Sequence, residues 1–236
     1  MAEFISQHLL TLILFAPVAG MLAVMLVPGE RKQTVRWVAL LASMVPLGLS
    51  IVLWVGYDSS VAGFQFEEQA KWYTAIRSSY HVGVDGISVP MVVLTTLLMP
   101  LGILTSFGIQ ERVKAYMLLF LMLETGMLGV FMALDLIVFF LFWEIGLVPM
   151  YFLINIWGSP KGERDFRGGQ KVSARQYASY KFFVYTLGGS LGLLLAIQIL
   201  GLVAGSFDLI TLLKVWPNFS GELFANFSTS AVRAAA

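Results

Sequence analysis

The sequence predicts an all-α protein, a polytopic bundle of about six transmembrane helices. Composition is the first reason: 58% of the 236 residues are hydrophobic and 12% are charged, whereas a soluble domain is about 45–50% apolar and about 25% charged. The second reason is that the apolar residues form runs of about 20, the length that a helix needs to cross a bilayer. The third is that short polar connections separate these runs.

The predicted spans follow one another along a single bundle, residues 1–206. They are 8–27, 34–56, 87–109, 115–134, 136–157 and 177–204. Two connections are longer than a turn: a polar segment over 57–86 and a basic loop over 158–176. The aromatic and mixed-charge part of the first, 64–80, is interpreted as an interfacial or loop segment on the outer surface. A mixed tail, 207–236, follows the last span.

Lysine and arginine placement predicts the orientation. The connections after the first, third and fifth spans hold ten basic residues: Arg31, Lys32, Arg36, Arg112, Lys114, Lys161, Arg164, Arg167, Lys171 and Arg175. The opposite side holds Lys71, Arg77, Lys214 and Arg233. Because basic loops stay in the cytoplasm, we expect both chain ends, the 57–86 segment and the tail outside. The tail closes on Ala-Ala-Ala, and we expect it to be truncated, by a frameshift, a split gene or an artificial end.

We expect no cofactor and no metal on this chain. The absence of cysteine excludes disulfides, thiolate zinc sites and iron–sulfur ligation. His8 and His81 are too few and too far apart in sequence to suggest a metal or haem site. The net charge of +1 provides no bulk attraction to nucleic acid. A redox active site is therefore not expected here.

Three ionisable side chains fall inside the predicted spans. Glu124 and Glu144 lie near the middle of the fourth and fifth spans, and Lys181 lies about one turn into the sixth. A charge at the bilayer centre costs about 2.5–3.5 kcal/mol on insertion scales, and such residues commonly mark proton or ion paths. A nearby lysine stabilises the ionised form of a carboxylate. The three residues therefore predict proton transfer, with Glu144 as the carboxylate that alternately binds and releases a proton.

A structural role is the alternative for each of the three. The glutamates could only pair helices, and the long stem of Lys181 could let its ammonium reach the cytoplasmic interface. Two further acids have simpler interpretations. Asp85 precedes an apolar run and is predicted to cap the third helix, and Asp135 is placed at an external turn where a charge is inexpensive.

Three stretches resemble a known family. They are HVGVDGISVPMVVLTTLLMPL (81–101), LETGMLGVFMALDLIVFFLFWEIGLVPMYFLINIWG (123–158) and YKFFVYTLGGSLGLLL (180–195). In this order and spacing they resemble the antiporter-like proton-pumping subunits of respiratory complex I. The M-type subunit, called subunit 4 in mitochondria, is the best match, and the resemblance extends to about Leu213.

The resemblance implies a fold of about fourteen spans with two inverted five-helix repeats, each with a broken helix. It implies a subunit of NADH:quinone oxidoreductase in the cell inner membrane, in which quinone reduction elsewhere drives proton transfer. Glu144 matches the essential glutamate of the fifth helix, Glu124 an acidic residue of the fourth and Lys181 the lysine of the sixth. NADH, FMN, iron–sulfur clusters and quinone are expected on other subunits, and neighbouring antiporter-like subunits are the expected partners.

The sequence departs from that family in length. It stops before the seventh helix, which in the family is broken and carries the central lysine, so we expect an N-terminal half. Three alternatives stay open: a subunit of a multisubunit sodium/proton antiporter or of a membrane-bound hydrogenase, a passive structural membrane subunit, and a nonfunctional fragment.

Overall fold

Six long helices dominate the computed structural model, which describes residues 7–73, 78–166 and 170–215. The helices are α1 (Leu9–Leu26), α2 (Lys32–Gly56), α3 (Ser88–Thr105), α4 (Val113–Met132), α5 (Leu136–Trp157) and α6 (Ala174–Ala204). Each is long and apolar enough to cross a membrane, with the 3-10 turn Ser106–Gly108 extending α3. The predicted fold class is confirmed. A short helix, α7 (Leu209–Val215), follows α6. The rest of the predicted tail, with Arg233, lies outside the described residues, and so do Arg77 and Arg167.

Helix α4 lies at the centre of the bundle. It contacts α1, α2, α3 and α5, while α6 packs on the far side of α5. Two clusters of buried side chains fill the interior. One, near the predicted external end, includes Leu10, Leu128 and Val82, and the other, near the opposite end, includes Val24 and Met117. The core therefore follows the length of α4 from one membrane face to the other.

Basic side chains close the predicted cytoplasmic end by binding backbone carbonyls. The Lys114 ammonium donates to the carbonyls of Met25 and Val27, each at 2.8 Å, at the end of α1. The Arg36 guanidinium donates to the Ile109 carbonyl at 2.6 Å. The last carbonyls of a helix have no partner within the helix, and cations there also interact favourably with the helix dipole. The connections that follow α1 and α3 are thus held together at one end of the bundle.

The 57–86 segment, which is predicted to be external, forms a β-hairpin that the sequence did not predict. Strands β1 (Gln65–Tyr73) and β2 (Ser78–Val84) pair antiparallel. Buried β2 side chains join the external core cluster. A Cβ added to Gly83 would lie 2.6 Å from Leu134 Cδ1, so the hairpin lies directly on the turn between α4 and α5. A second, smaller hairpin, β3 (Glu163–Asp165) with β4 (Lys171–Ser173), lies in the basic loop.

Polar caps fix the starts of three helices. Asp85 Oδ1 accepts from the Ser88 and Ile87 amides at 2.7 and 3.1 Å, which confirms the predicted cap near α3. These bonds outweigh the opposing effect of burial and lower the pKa of Asp85. At α6, Ser173 and Gln176 form a capping box. Asp135 caps α5.

Candidate functional site

Glu124 lies in the centre of the bundle on α4. Its side chain is 0% exposed, and neither carboxylate oxygen has a hydrogen-bond donor among the described residues. Burial of an unpaired charge is expensive. Glu124 therefore needs a proton, a water molecule or a donor from outside the described chain. This makes it a group whose protonation state is strongly coupled to its surroundings.

Glu144 lies on the neighbouring helix, α5, and is half-buried. Its Oε1 atom is buried and likewise has no donor in the part of the chain that the structure describes. Pro149 lies within the same helix. Because proline has no amide hydrogen, the Ile145 carbonyl loses its helical bond, and a free carbonyl next to Glu144 is a potential acceptor for a bridging water.

A glycine contact brings the two helices together between the glutamates. A Cβ added to Gly126 would lie 2.9 Å from the Gly146 amide nitrogen and 3.2 Å from the Phe142 carbonyl oxygen, so the backbones of α4 and α5 are almost in contact. Small residues permit such approach in membrane bundles. The sequence shows these glycines but does not say that they face each other.

The glycine contact also sets the relative depth of the two carboxylates. Glu124 and Glu144 each precede the contacting glycine of their own helix by two residues. The helices run in opposite directions, so the two residues lie on opposite sides of the contact. At about 1.5 Å of rise per residue, their positions are about 6 Å apart along the bundle axis, roughly one helical turn. The structure thus brings the two predicted glutamates onto adjoining helices at nearly the same depth.

Lys181 has a different environment. It is exposed on α6, and its ammonium lies 5.7 and 5.8 Å from the ring centroids of Tyr177 and Tyr185, within the range of a cation–π contact. No ion pair joins Lys181 to either glutamate in the described part of the chain. A groove of about 600 Å³ opens beside Lys181 and includes Arg164 in its lining. This groove provides room for water near the predicted cytoplasmic end of α6.

Side-chain contacts that the sequence does not reveal fasten α6 to α5. The Trp143 indole donates to Ser190 Oγ at 3.0 Å, one residue before Glu144. The Arg175 guanidinium donates to the Ile156 carbonyl at 2.7 Å. These contacts hold α6 beside the helix that carries Glu144. The two partners of each contact are separated in sequence, and neither pair forms a recognisable motif.

The structure also shows what the titratable groups outside the helices do. Among the described residues, no group of three or more His, Asp or Glu side chains is arranged to hold a metal ion. Glu68 accepts from the Leu10 amide at 2.7 Å and from Thr11 Oγ1 at 2.5 Å, and so binds the hairpin to the start of α1.

Comparison with known proteins gives a consistent result along the chain. Residues 9–134, more than half of the chain, match the family described as NADH-ubiquinone oxidoreductase chain 4, amino terminus. Residues 133–235 match the family described as NADH:quinone oxidoreductase/Mrp antiporter, transmembrane.

Individual relatives agree with the family matches. The NADH-quinone oxidoreductase subunit M of Rhodobacter capsulatus is 40% identical over 212 residues, which cover 88% of this chain and 38% of that protein. The NADH-ubiquinone oxidoreductase chain 4 of Arabidopsis thaliana is 38% identical over 225 residues, 94% of this chain and 43% of that protein. A chain of the Thermus thermophilus respiratory complex I structure superposes with a TM-score of 0.70 at 26% identity, covering 87% of this chain and 39% of that one.

The chain spans about two fifths of the length of these relatives. Within that length the matches are continuous from α1 through the end of α6. The chain therefore belongs to the family of NADH:ubiquinone oxidoreductase chain 4, the M-type antiporter-like membrane subunits of complex I.

Proposed function

We propose that this chain forms the first part of a proton-translocating membrane subunit of NADH:quinone oxidoreductase. The observation that carries the proposal is the pair of carboxylates inside the bundle, fully buried Glu124 and half-buried Glu144. They lie on two helices in backbone contact, about one helical turn apart in depth, and they lack donors among the described residues. Two such groups can share or pass a proton through a water molecule. A pair that only fastened helices together would be expected to bond directly to a neighbour.

Glu144 is the switched carboxylate in this proposal, and Glu124 is its nearest proton-exchange partner. Lys181 has an aromatic rather than an acidic environment. We therefore assign it to the cytoplasmic entrance, where its positive charge would favour an ionised Glu144 when water connects the two. The groove beside Lys181 supports this assignment.

The same proposal predicts the cofactors of the complex, the partners of this chain and its location. The redox cofactors NADH, FMN, iron–sulfur clusters and quinone would be bound by other subunits, and other membrane-arm subunits would be the partners. We place the chain in the cell inner membrane, with its basic end in the cytoplasm and both chain ends outside. The support is the set of lysine and arginine contacts at one end of the bundle.

Replacement of Glu144 in the assembled complex tests the proposal. We expect Glu144→Gln to abolish most NADH-driven proton translocation, because glutamine occupies the same volume but cannot bind or release a proton. Glu144→Asp, which keeps the carboxylate, should retain part of the activity. Proton translocation is measured as NADH-driven acidification of inverted membrane vesicles, with the NADH oxidation rate and the amount of assembled complex recorded in parallel.

Glu111→Gln is the matched control, because Glu111 is an exposed residue in the connection before α4. It should pump normally. Normal pumping by Glu144→Gln in an intact complex would contradict the proposal and would favour a passive structural role for the buried glutamates.

A further inference from the structure

A buried histidine joins two acidic side chains at the external face. His81 lies in β2 and is 4% exposed. Its Nδ1 is 2.6 Å from Asp208 Oδ2, and its Nε2 is 3.3 Å from Glu67 Oε2. Glu67 belongs to β1, and Asp208 lies between α6 and α7. A single imidazole ring therefore bridges the external hairpin and the segment that follows the last membrane helix.

Backbone bonds bring these segments together around the ring. The Leu134 amide donates to the His81 carbonyl at 2.8 Å. The Leu209 amide donates to the Leu134 carbonyl at 2.7 Å, and the Leu136 amide donates to the Phe207 carbonyl at 2.9 Å. We call this meeting of β2 with residues 133–136 and 207–209 the external junction. It connects the hairpin, the α4–α5 turn and the end of α6.

A bulge in β1 directs Glu67 towards the ring. The register of the hairpin shifts between Gln65 and Glu68, and Phe66 has a φ angle of 54°. A left-handed conformation is unfavourable for a residue other than glycine, and bulges typically re-aim a side chain. Here consecutive carboxylates bind different elements: Glu67 contacts His81, and Glu68 binds the start of α1.

The protonation state of the ring decides how many of these bonds can form. A neutral imidazole donates through one nitrogen, whereas an imidazolium donates through both. The Asp208 carboxylate accepts hydrogen bonds from several donors. Burial opposes its ionisation, but donation from the Thr211 amide and hydroxyl, each at 2.8 Å, and from His81 outweighs burial and lowers the pKa of Asp208. Glu67 is more exposed, with 43% of its side chain accessible, so the bond to Glu67 is the one that a neutral ring would lose.

Other acidic groups near the external junction are engaged elsewhere. Asp135 accepts from Ser78 Oγ and from the backbone amides of residues 79, 137 and 138. Glu68 is bound at the start of α1, 3.8 Å from His8. Among the described residues, the charged groups bonded to the His81 ring are therefore Glu67 and Asp208.

We propose that His81 is a proton-operated clamp on the external face. The protonated ring binds Glu67 and Asp208 at once and so ties β1 to the end of α6. Loss of the proton releases Glu67 and frees β1, while β2 keeps its bond to Asp208. Histidine is the side chain whose charge ordinarily changes between about pH 5 and 8. Protonation strengthens the clamp, so it closes on the acidic side and opens as the external pH rises. This inference does not depend on proton pumping by the chain.

Distance measurements between spin labels test the clamp directly. The chain has no cysteine, so Lys71→Cys on β1 and Leu213→Cys on α7, both exposed, provide two unique labelling sites. In lipid nanodiscs we expect a narrow distance distribution at about pH 5.5 and a shift to longer, broader distances at about pH 8.5. His81→Gln should give the broad distribution at both pH values.

Two variants keep the test decisive. Glu67→Gln should remove the pH response without disturbing the fold, because an exposed glutamine amide can accept from a protonated ring and donate to a neutral one. His8→Gln, which changes the second histidine, should leave the response intact. A distribution that is the same at both pH values in the chain with native His81, or a response that persists in Glu67→Gln, would overturn the proposal.

Discussion

Asp135 shows how a charge is accommodated at the end of a transmembrane helix. Its position between two apolar runs predicts an external turn where a charge costs little energy, and the side chain is 1% exposed. The hairpin covers it, and Ser78 Oγ and the Ser79 amide donate to its carboxylate at 3.0 and 3.1 Å. The Ile137 and Val138 amides at the start of α5 supply two more bonds. The sequence does not reveal this cover, because the covering residues lie more than 50 positions away along the chain.

We expect Asp135→Ala to lower the free energy of unfolding by about 1–3 kcal/mol, because it leaves buried donors unsatisfied. Asp135→Asn keeps an acceptor and should restore part of the loss. The free energy is measured by unfolding the chain in mixed micelles, followed by circular dichroism. Asp58→Ala removes an exposed loop carboxylate and is the control. Equal effects of the two alanine variants would contradict the capping role.

Single residues also show which parts of the site can be predicted from sequence. Glu124 and Glu144 were identifiable because a carboxylate within an apolar run costs free energy in the membrane and therefore stands out in the sequence. The bridge from His81 to Asp208 was not, because the partners are 127 positions apart and no local pattern connects them. The environment of Lys181 was also not predictable, since the sequence does not specify which neighbour its ammonium faces.

At the scale of elements, the six helices were predictable and the external hairpin was not. A helix that crosses a bilayer needs a long apolar run, which is visible in the sequence. The strands carry polar and charged residues on β1, and the bulge at Phe66 interrupts their alternation. Burial of β2 against the α4–α5 turn, rather than a local period of two, stabilises the hairpin.

The contact between α4 and α5 is the element-level feature that the site requires. We expect Gly126→Ala to destabilise the bundle by about 1–3 kcal/mol, the usual cost of overpacking, because the added methyl would meet the Gly146 backbone at 2.9 Å. Backbone cannot move aside as a flexible side chain can. Unfolding in mixed micelles gives the free energy.

Gly188→Ala is the matched control for Gly126→Ala. Gly188 also lies within a membrane helix, but nothing is within 4 Å of an added Cβ. This variant should be as stable as the unmodified chain. If both alanine variants unfold alike, the close approach of α4 and α5 is not the source of the effect.

At the scale of the whole molecule, the helices of the bundle differ in how much of their surface other helices cover. The central helix α4 is well enclosed, whereas α6 leaves large side chains such as Tyr185 and Leu195 exposed at 73% and 64%. Apolar surface of this kind suits lipid or another membrane subunit. This exposure supports the proposed assembly with other membrane-arm subunits.

In the proposed mechanism, Glu144 exchanges a proton from within the membrane. Infrared difference spectroscopy of the complex in lipid tests it most directly, because a protonated carboxyl group has a carbonyl band that shifts in D₂O. We predict a protonated carboxyl band that shifts on exchange into D₂O and disappears in Glu144→Gln while remaining in Glu111→Gln. A spectrum in which Glu144→Gln changes no exchangeable carboxyl band would contradict this role of Glu144.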